Sequence, residues 1–558
     1  MNKKIQGINN TKIKSMKTKI YLFAALVTTV VFTSCNDFLT PEPLATNKLS
    51  TYFSNDSAAI AVVNAAYVPL EWQLGGTYAN EWFVGDVVSD DALKGGASLS
   101  DMQVVWQMEN FQTTANNEYL ESFYVINYQG IFRTNFAIEN ISAMDSSSIK
   151  ASTKSRLLGE SKFLRALYHF KLMRYFGGII KGDRTFNQTD ALMARSSKAD
   201  IVSFIRQDLD DAIKLLPRKS QYAATELGRA TKGAAQAMLM RVILFDIQNS
   251  TDKTKDYGRV VSLGDSIIAS TEYTLNSKYS DYFKVLVSPT IAQLVTENGP
   301  ESVFEVQYML EATSDYGGLG HTRGNFDPIM TRTRAGSLGW GFNHPSQDLY
   351  NEFETGDNRR DEAILPVDTA DVYGAGKFYN GYHSRKAALG FWRTSGGKQV
   401  FYQAPLAHAT RGPSNTPVIR YSDVLLMVAE AACEGNNLSE GISKLNQVRQ
   451  RAKDSSTNPA DPAILPQFPY GSYSASSQAD LRTAIRHERR VEFAMEGQRW
   501  FDLVRWGVAD QVMNAYRTKY IAQEGQEMSE FVKGKHELYP IPEIELNNNP
   551  MLNQNSGY

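Results

Sequence analysis

The chain has 558 residues, 42% of them hydrophobic and 11% aromatic, with 58 basic and 60 acidic side chains and two cysteines. That length supports a large core in more than one structural layer. The near-neutral charge, without a basic run to follow a phosphate backbone, argues against a nucleic-acid partner, and two cysteines give no disulfide framework.

The first 34 residues read as a secretory leader. Lys3, Lys4, Lys12, Lys14, Lys17 and Lys19 precede an uncharged stretch from Ile20 to Phe32, whose 13 residues are too few to span a bilayer as a helix. Thr33 and Ser34 then run into Cys35, followed by polar Asn36 and Asp37, as at a bacterial lipoprotein junction. Acyl chains on Cys35 would hold the protein to a membrane by about 0.8 kcal/mol per buried methylene. Without the leader's six lysines the formal charge falls from −2 to −8. Residues 35–54, with Pro41 and Pro43, read as a tether, and 55–558 as one domain.

That domain opens with a helical part, about 55–271, interrupted from Leu70 to Asn117 by a loop-rich segment carrying Trp72, Tyr78, Trp82 and Trp106. Phe163, Leu167, Phe170 and Met173 recur at spacings of three and four, which predicts an amphipathic helix over 157–176, ended by Gly177-Gly178. Further helices are predicted over 201–216, 230–248 and 257–270, and after the middle region over 422–434, 442–452, 481–495 and 500–506. Lengths and short turns suggest helix hairpins of the tetratricopeptide type, without a fixed 34-residue period. Between about 272 and 420, Phe304, Val306 and Tyr308 alternate with Glu305 and Gln307 as in a half-buried strand. Glycines and rings then interleave, among them Trp340, Gly341 and Phe342, a composition that favours loops displaying aromatic side chains. Cys433, in an alanine-rich helical stretch, reads as a small buried apolar residue.

Short runs stand in a fixed order along the chain: Cys35-Asn-Asp-Phe-Leu39, Arg133-Thr-Asn135, Glu160 to Phe170 closing with Arg174-Tyr-Phe-Gly177, and Arg229-Ala-Thr231. Arg420-Tyr-Ser-Asp423, Glu488-Arg-Arg490, Arg499-Trp-Phe-Asp502, Arg505-Trp-Gly507 and Tyr539-Pro-Ile-Pro542 continue them to the C terminus. In these runs, along nearly all of its length after the leader, the chain resembles the SusD/RagB family. The resemblance implies a mainly α body of tetratricopeptide-like hairpins beside an irregular, loop-rich ligand-binding region with a few short strands. It also implies a lipid-anchored, surface-exposed outer-membrane protein. Such a protein would capture oligosaccharides or polysaccharides without catalysis and pass them to a SusC-like TonB-dependent transporter.

Sugar rings present flat C–H faces that pack on indole and phenol rings. Trp72, Tyr78 and Trp82 in the early loop, with Trp340 and Phe342 in the middle one, are therefore the candidate ligand contacts, and the resemblance places ligand contacts in these two loop regions. Arg482, Arg486, Arg489 and Arg490 with Glu488, Glu492 and Glu496 invite an acid–base reading. Charges at helical spacing are far more often ion pairs that fix packing. His487-Glu488 begins like a zinc-protease helix, but Val491 stands where the second histidine is needed. His169 reads as structural; His321, His344, His383 and His408 fall in loops. No metal ligand is assigned and no cofactor is expected. Peptide capture of the RagB kind, an exported glycan hydrolase and a purely structural helix-repeat lipoprotein are the competing readings.

Overall fold

A computed structural model describes residues 52–73, 78–187, 190, 192–283, 285–286, 293–294, 297–309, 324–332, 334, 339–366, 381–387, 390–395, 398–403, 412–524 and 528–558. The leader, Cys35, nearly all of the tether, and His321 and His408 lie outside them. Two compact units divide the chain, 1–54 and 55–558, and the second carries the fold.

Helix Glu118–Ala143 starts where the Asn117 side chain accepts from the Tyr119 and Leu120 amides (3.1 and 3.2 Å). It packs along Ala151–Phe176, which also packs on Lys198–Leu215. Lys198–Leu215 is capped by Ser197 and followed by Pro217; it leads to Lys232–Phe245, capped by Thr231. Lys253–Ala269 joins that helix to Tyr421–Glu434, which pairs with Leu438–Asp454 and packs on Gln478–Glu492. The body is thus mainly α, built of neighbouring helix hairpins. Among the described residues no helix is long and apolar enough to cross a membrane.

The helix expected over 157–176 departs from its amphipathic reading. Ala151–Phe176 is not amphipathic over its second half: nearly every side chain from Leu157 onward is buried, because the helix has neighbours on several sides. Phe163, Leu164, Leu167 and Phe170 each stabilise the body by about 1.5–3 kcal/mol on burial. Its charged residues find partners on those neighbours: Arg165 forks onto Asp208 (2.7 and 2.8 Å), Lys162 reaches Asp211 (2.7 Å), and Lys171 pairs with Glu81. His169 is structural: its Nδ1 bonds the Arg165 carbonyl, its Nε2 accepts from the Gly182 amide, and burial pushes its pKa down to about 3. Gly177 ends the helix at φ +71°, a conformation that penalises a Cβ. Cys433 is buried, with its thiol pushed up to about 12 by burial.

The strands form two-stranded antiparallel sheets. Ser302–Val306 pairs with Thr416–Arg420 and is buried along its whole length rather than on one face. Its polar position, Glu305, is accommodated by hydrogen bonds from Tyr282, the Asn298 amide and Asn415 (3.1, 3.1 and 3.0 Å). Ala92–Gly95 pairs with Phe342–Pro345, placing Gly95 opposite Phe342 and tying the early loop to the middle region. The glycine-rich middle also holds a short helical turn, Asp327–Thr331, that was not among the predicted helices.

Candidate functional site

Asp327 draws the two loop regions together. The Gln73 amide, the Asn80 amide and the Trp82 indole N–H all donate to its Oδ1 (3.2, 2.7 and 2.8 Å). Gln73 also accepts from the Phe326 amide (2.6 Å) and donates to Asn325 (3.1 Å). Burial raises the Asp327 pKa despite these donors, so the carboxylate sits where desolvation is expensive and its partners are needed.

The five rings expected from the sequence divide into three groups. Tyr78 and Trp340 meet, their centroids 5.4 Å apart and their planes inclined at 60°, and both are partly exposed. Phe326 supports Tyr78 from 5.9 Å, and the Trp340 amide is fixed on the Ile329 carbonyl (2.8 Å). Trp82 packs on Phe83 (4.1 Å) while its indole N–H holds Asp327. Trp72 and Phe342 are not exposed rings. Trp72 is 8% exposed and lies beneath the Arg133 guanidinium (4.9 Å). Phe342, 3% exposed, faces Phe83 in the core because its strand is paired with Ala92–Gly95.

Trp72 and Trp82 border a cavity of about 220 Å³ that also touches Asn80, Lys171, Arg174 and Tyr308. On one wall Glu81 pairs with Lys171 and with Arg174 (3.3 Å). Burial opposes its charge, yet the two cations hold its pKa below the ordinary value. On another, burial pushes Glu297 up to about 8, so that it is largely a neutral acid at pH 7; its Oε1 accepts from the Asn415 amide (2.7 Å). Lys386, beside Glu496 (2.6 Å), is pushed down to about 8, again by burial. The walls thus offer donors, acceptors and a neutral acid that can act as both, a lining suited to hydroxyl groups. Among the described residues no group of three His, Cys, Asp or Glu is arranged to hold a metal ion. His344 and His383 are both buried, with rings 4.8 Å apart.

Sequence reasoning named the rings but missed Gln73, Asn80, Asn325 and Asp327, which position them. The one available signal was weak: an acid directly before Pro328, a pairing common at a helix start.

Profile comparison matches residues 376–558 to the SusD family and residues 50–244 to a family described as "Starch-binding associating with outer membrane". A SusD-like protein of Bacteroides ovatus is 25% identical over 575 residues, covering 95% of this chain and 93% of the relative. The starch-binding protein SusD of Bacteroides thetaiotaomicron is 23% identical, covering 87% and 86%. Among solved structures, surface glycan-binding protein A from Bacteroides thetaiotaomicron in complex with laminarihexaose superposes with a TM-score of 0.72 at 21% identity, covering 90% of this chain and 99% of that one. A laminarin-binding SusD-like protein superposes with a TM-score of 0.68 at 24% identity, covering 90% and 100%.

Proposed function

The chain belongs to the SusD/RagB family, and we propose that it is a non-catalytic, lipid-anchored protein of the outer-membrane surface that captures oligosaccharides or polysaccharides and delivers them to a SusC-like TonB-dependent transporter. The observation that carries this reading is the meeting of Tyr78 and Trp340, one from each of the two loop regions, in a partly exposed pair beside the polar Asp327 bracket. Two rings inclined to each other present C–H-binding faces to successive sugar units, and the amides nearby suit hydroxyls. The names of similar proteins, which include starch- and laminarin-binding members, support a glycan as ligand. A non-catalytic role is supported by the names of similar proteins, which are called binding proteins.

Calorimetric titration of the purified protein against neutral glycan and peptide panels tests the reading. Saturable binding of at least one oligosaccharide, with no release of reducing ends, is expected. Affinity for peptides alone, or turnover of the sugar, would overturn it. For the anchor, Cys35→Ala is expected to move the protein from the membrane to the soluble fraction in cells lacking the transporter; retention on membranes would remove the lipid from the proposal.

A further inference from the structure

A second recess lies away from the ring pair in sequence, between helices Gln478–Glu492 and Ala509–Glu524, with a volume of about 700 Å³. Its lining is cationic: Arg486, His487, Arg490, Arg499 and Lys519 stand against three carboxylates, Asp90, Asp348 and Glu352. Burial works against a proton on His487, but hydrogen bonds to Glu352 and Glu354 raise its pKa to about 9, so it is charged at neutral pH.

Five arginines of this stretch are tied to carboxylates. Arg482 binds Glu434, Arg489 binds Asp423 and Asp502, Arg490 binds Asp91, Arg499 binds Asp90, and Arg505 binds Glu430. Arg486 has no ion pair and no side-chain hydrogen bond among the described residues. Its guanidinium lies over the Trp506 ring, 4.8 Å from the centroid. The indole face supports the guanidinium, which lines this recess and a neighbouring hollow holding Glu430 and Glu434; a guanidinium with no carboxylate bonded to it can receive a planar carboxylate or a sulfate through two parallel bonds. Gln511 and Tyr516 also line the recess, with no side-chain hydrogen bond among the described residues. The space exceeds what a lone anion requires, and these uncharged groups suit hydroxyls.

We propose that this recess is a second ligand site, for a sugar carrying one oxyanion, either a uronate carboxylate or a sulfate ester, received by Arg486. The site shares no residue with the Tyr78–Trp340 pair and does not depend on what that pair binds.

Titrating the full chain with D-glucuronate, glucose 6-sulfate, glucose and inorganic sulfate tests it. At least one acidic sugar is expected to bind about tenfold or more tightly than glucose, the scale of one charge-assisted contact, and the stronger of the two identifies the anion. Arg486→Gln should abolish that preference, Arg486→Lys should keep part of it, and Trp340→Ala should leave it unchanged. Equal affinity for glucose and both acidic sugars, an acidic preference that survives Arg486→Gln, or inorganic sulfate binding as tightly as either acidic sugar would overturn the proposal. Loss of preference in Trp340→Ala would also overturn it, by placing the anion at the ring pair.

Discussion

Two regions of the molecule solve opposite problems. Beneath helix Gln478–Glu492, five cations (Arg359, Lys386, Arg420, Arg449 and Arg451) face five carboxylates (Glu301, Asp357, Glu488, Glu492 and Glu496) in a buried network where most members have more than one partner. The ring region, by contrast, converges on one carboxylate oxygen of Asp327. The first arrangement locks helices with redundant bonds. The second holds Tyr78 and Trp340 partly exposed beside one shared carboxylate oxygen, with the Gln73 bonds and the Ala92–Gly95 strand pairing as its other ties. This buried charge network is scaffolding, whereas the proposed ring site is held by neutral donors around a single carboxylate.

The largest effect should come from breaking the network. Glu492 is fully buried and contacts Arg359 and Arg420 (both 3.1 Å) and Arg451. Burial opposes its charge, but the three arginines hold its pKa well below the usual carboxylate range. Glu492→Ala leaves the balance one positive charge in excess inside the protein, at an expected cost of about 3–5 kcal/mol in urea unfolding. A loss below about 1 kcal/mol would mean that water or rearranged partners compensate, and the redundancy would then extend to whole charges. Asp327→Ala comes next. It strands the Asn80 amide and the Trp82 indole, each bonded to that oxygen, and should cost about 1–3 kcal/mol. Hydrogen exchange should show the loss confined to residues around 78–83 and 325–331; uniform destabilisation would mean that Asp327 supports the whole body rather than the ring region.

The contrast also separates what the sequence contains from what it does not. Apolar spacing and the stop at Gly177-Gly178 located helices such as Ala151–Phe176, although it starts six residues before the expected Leu157, and Ala509–Glu524 was not expected. Where an end was misplaced, the cause is local. Helix Gln478–Glu492 stops three residues before the expected Met495, which has φ +61° and is followed by Gly497 at +68°. Charges at helical spacing were readable as ion pairs, although Arg486 departs from the pattern and its neighbours' partners lie far away in the chain. The ring site was readable only as residue types. Trp82 finds Asp327 across 245 positions, and Gln73 does so across 254. No periodicity encodes contacts at that range. Burial of Phe342 follows from its pairing with Ala92–Gly95, which is equally non-local.

The smallest stability change, with the largest functional one, is expected at the rings themselves. Tyr78 contacts both Trp340 and Phe326, and a ring pair of this kind contributes about 0.5–1.5 kcal/mol beyond the area it buries. Both keep part of their surface in water, so Tyr78→Ala and Trp340→Ala should each lower stability by about 1 kcal/mol, well under the Glu492 change. Affinity for a neutral oligosaccharide should nevertheless fall by about tenfold or more, because an aromatic anchor removed from a binding surface costs at least 1.4 kcal/mol when it carries the contact. Unfolding curves and titrations on the same preparations give both numbers. If stability and affinity fell together in both variants, the rings would be part of the frame, and the division between scaffold and binding surface would have to be redrawn around Trp82 and the cavity beneath it.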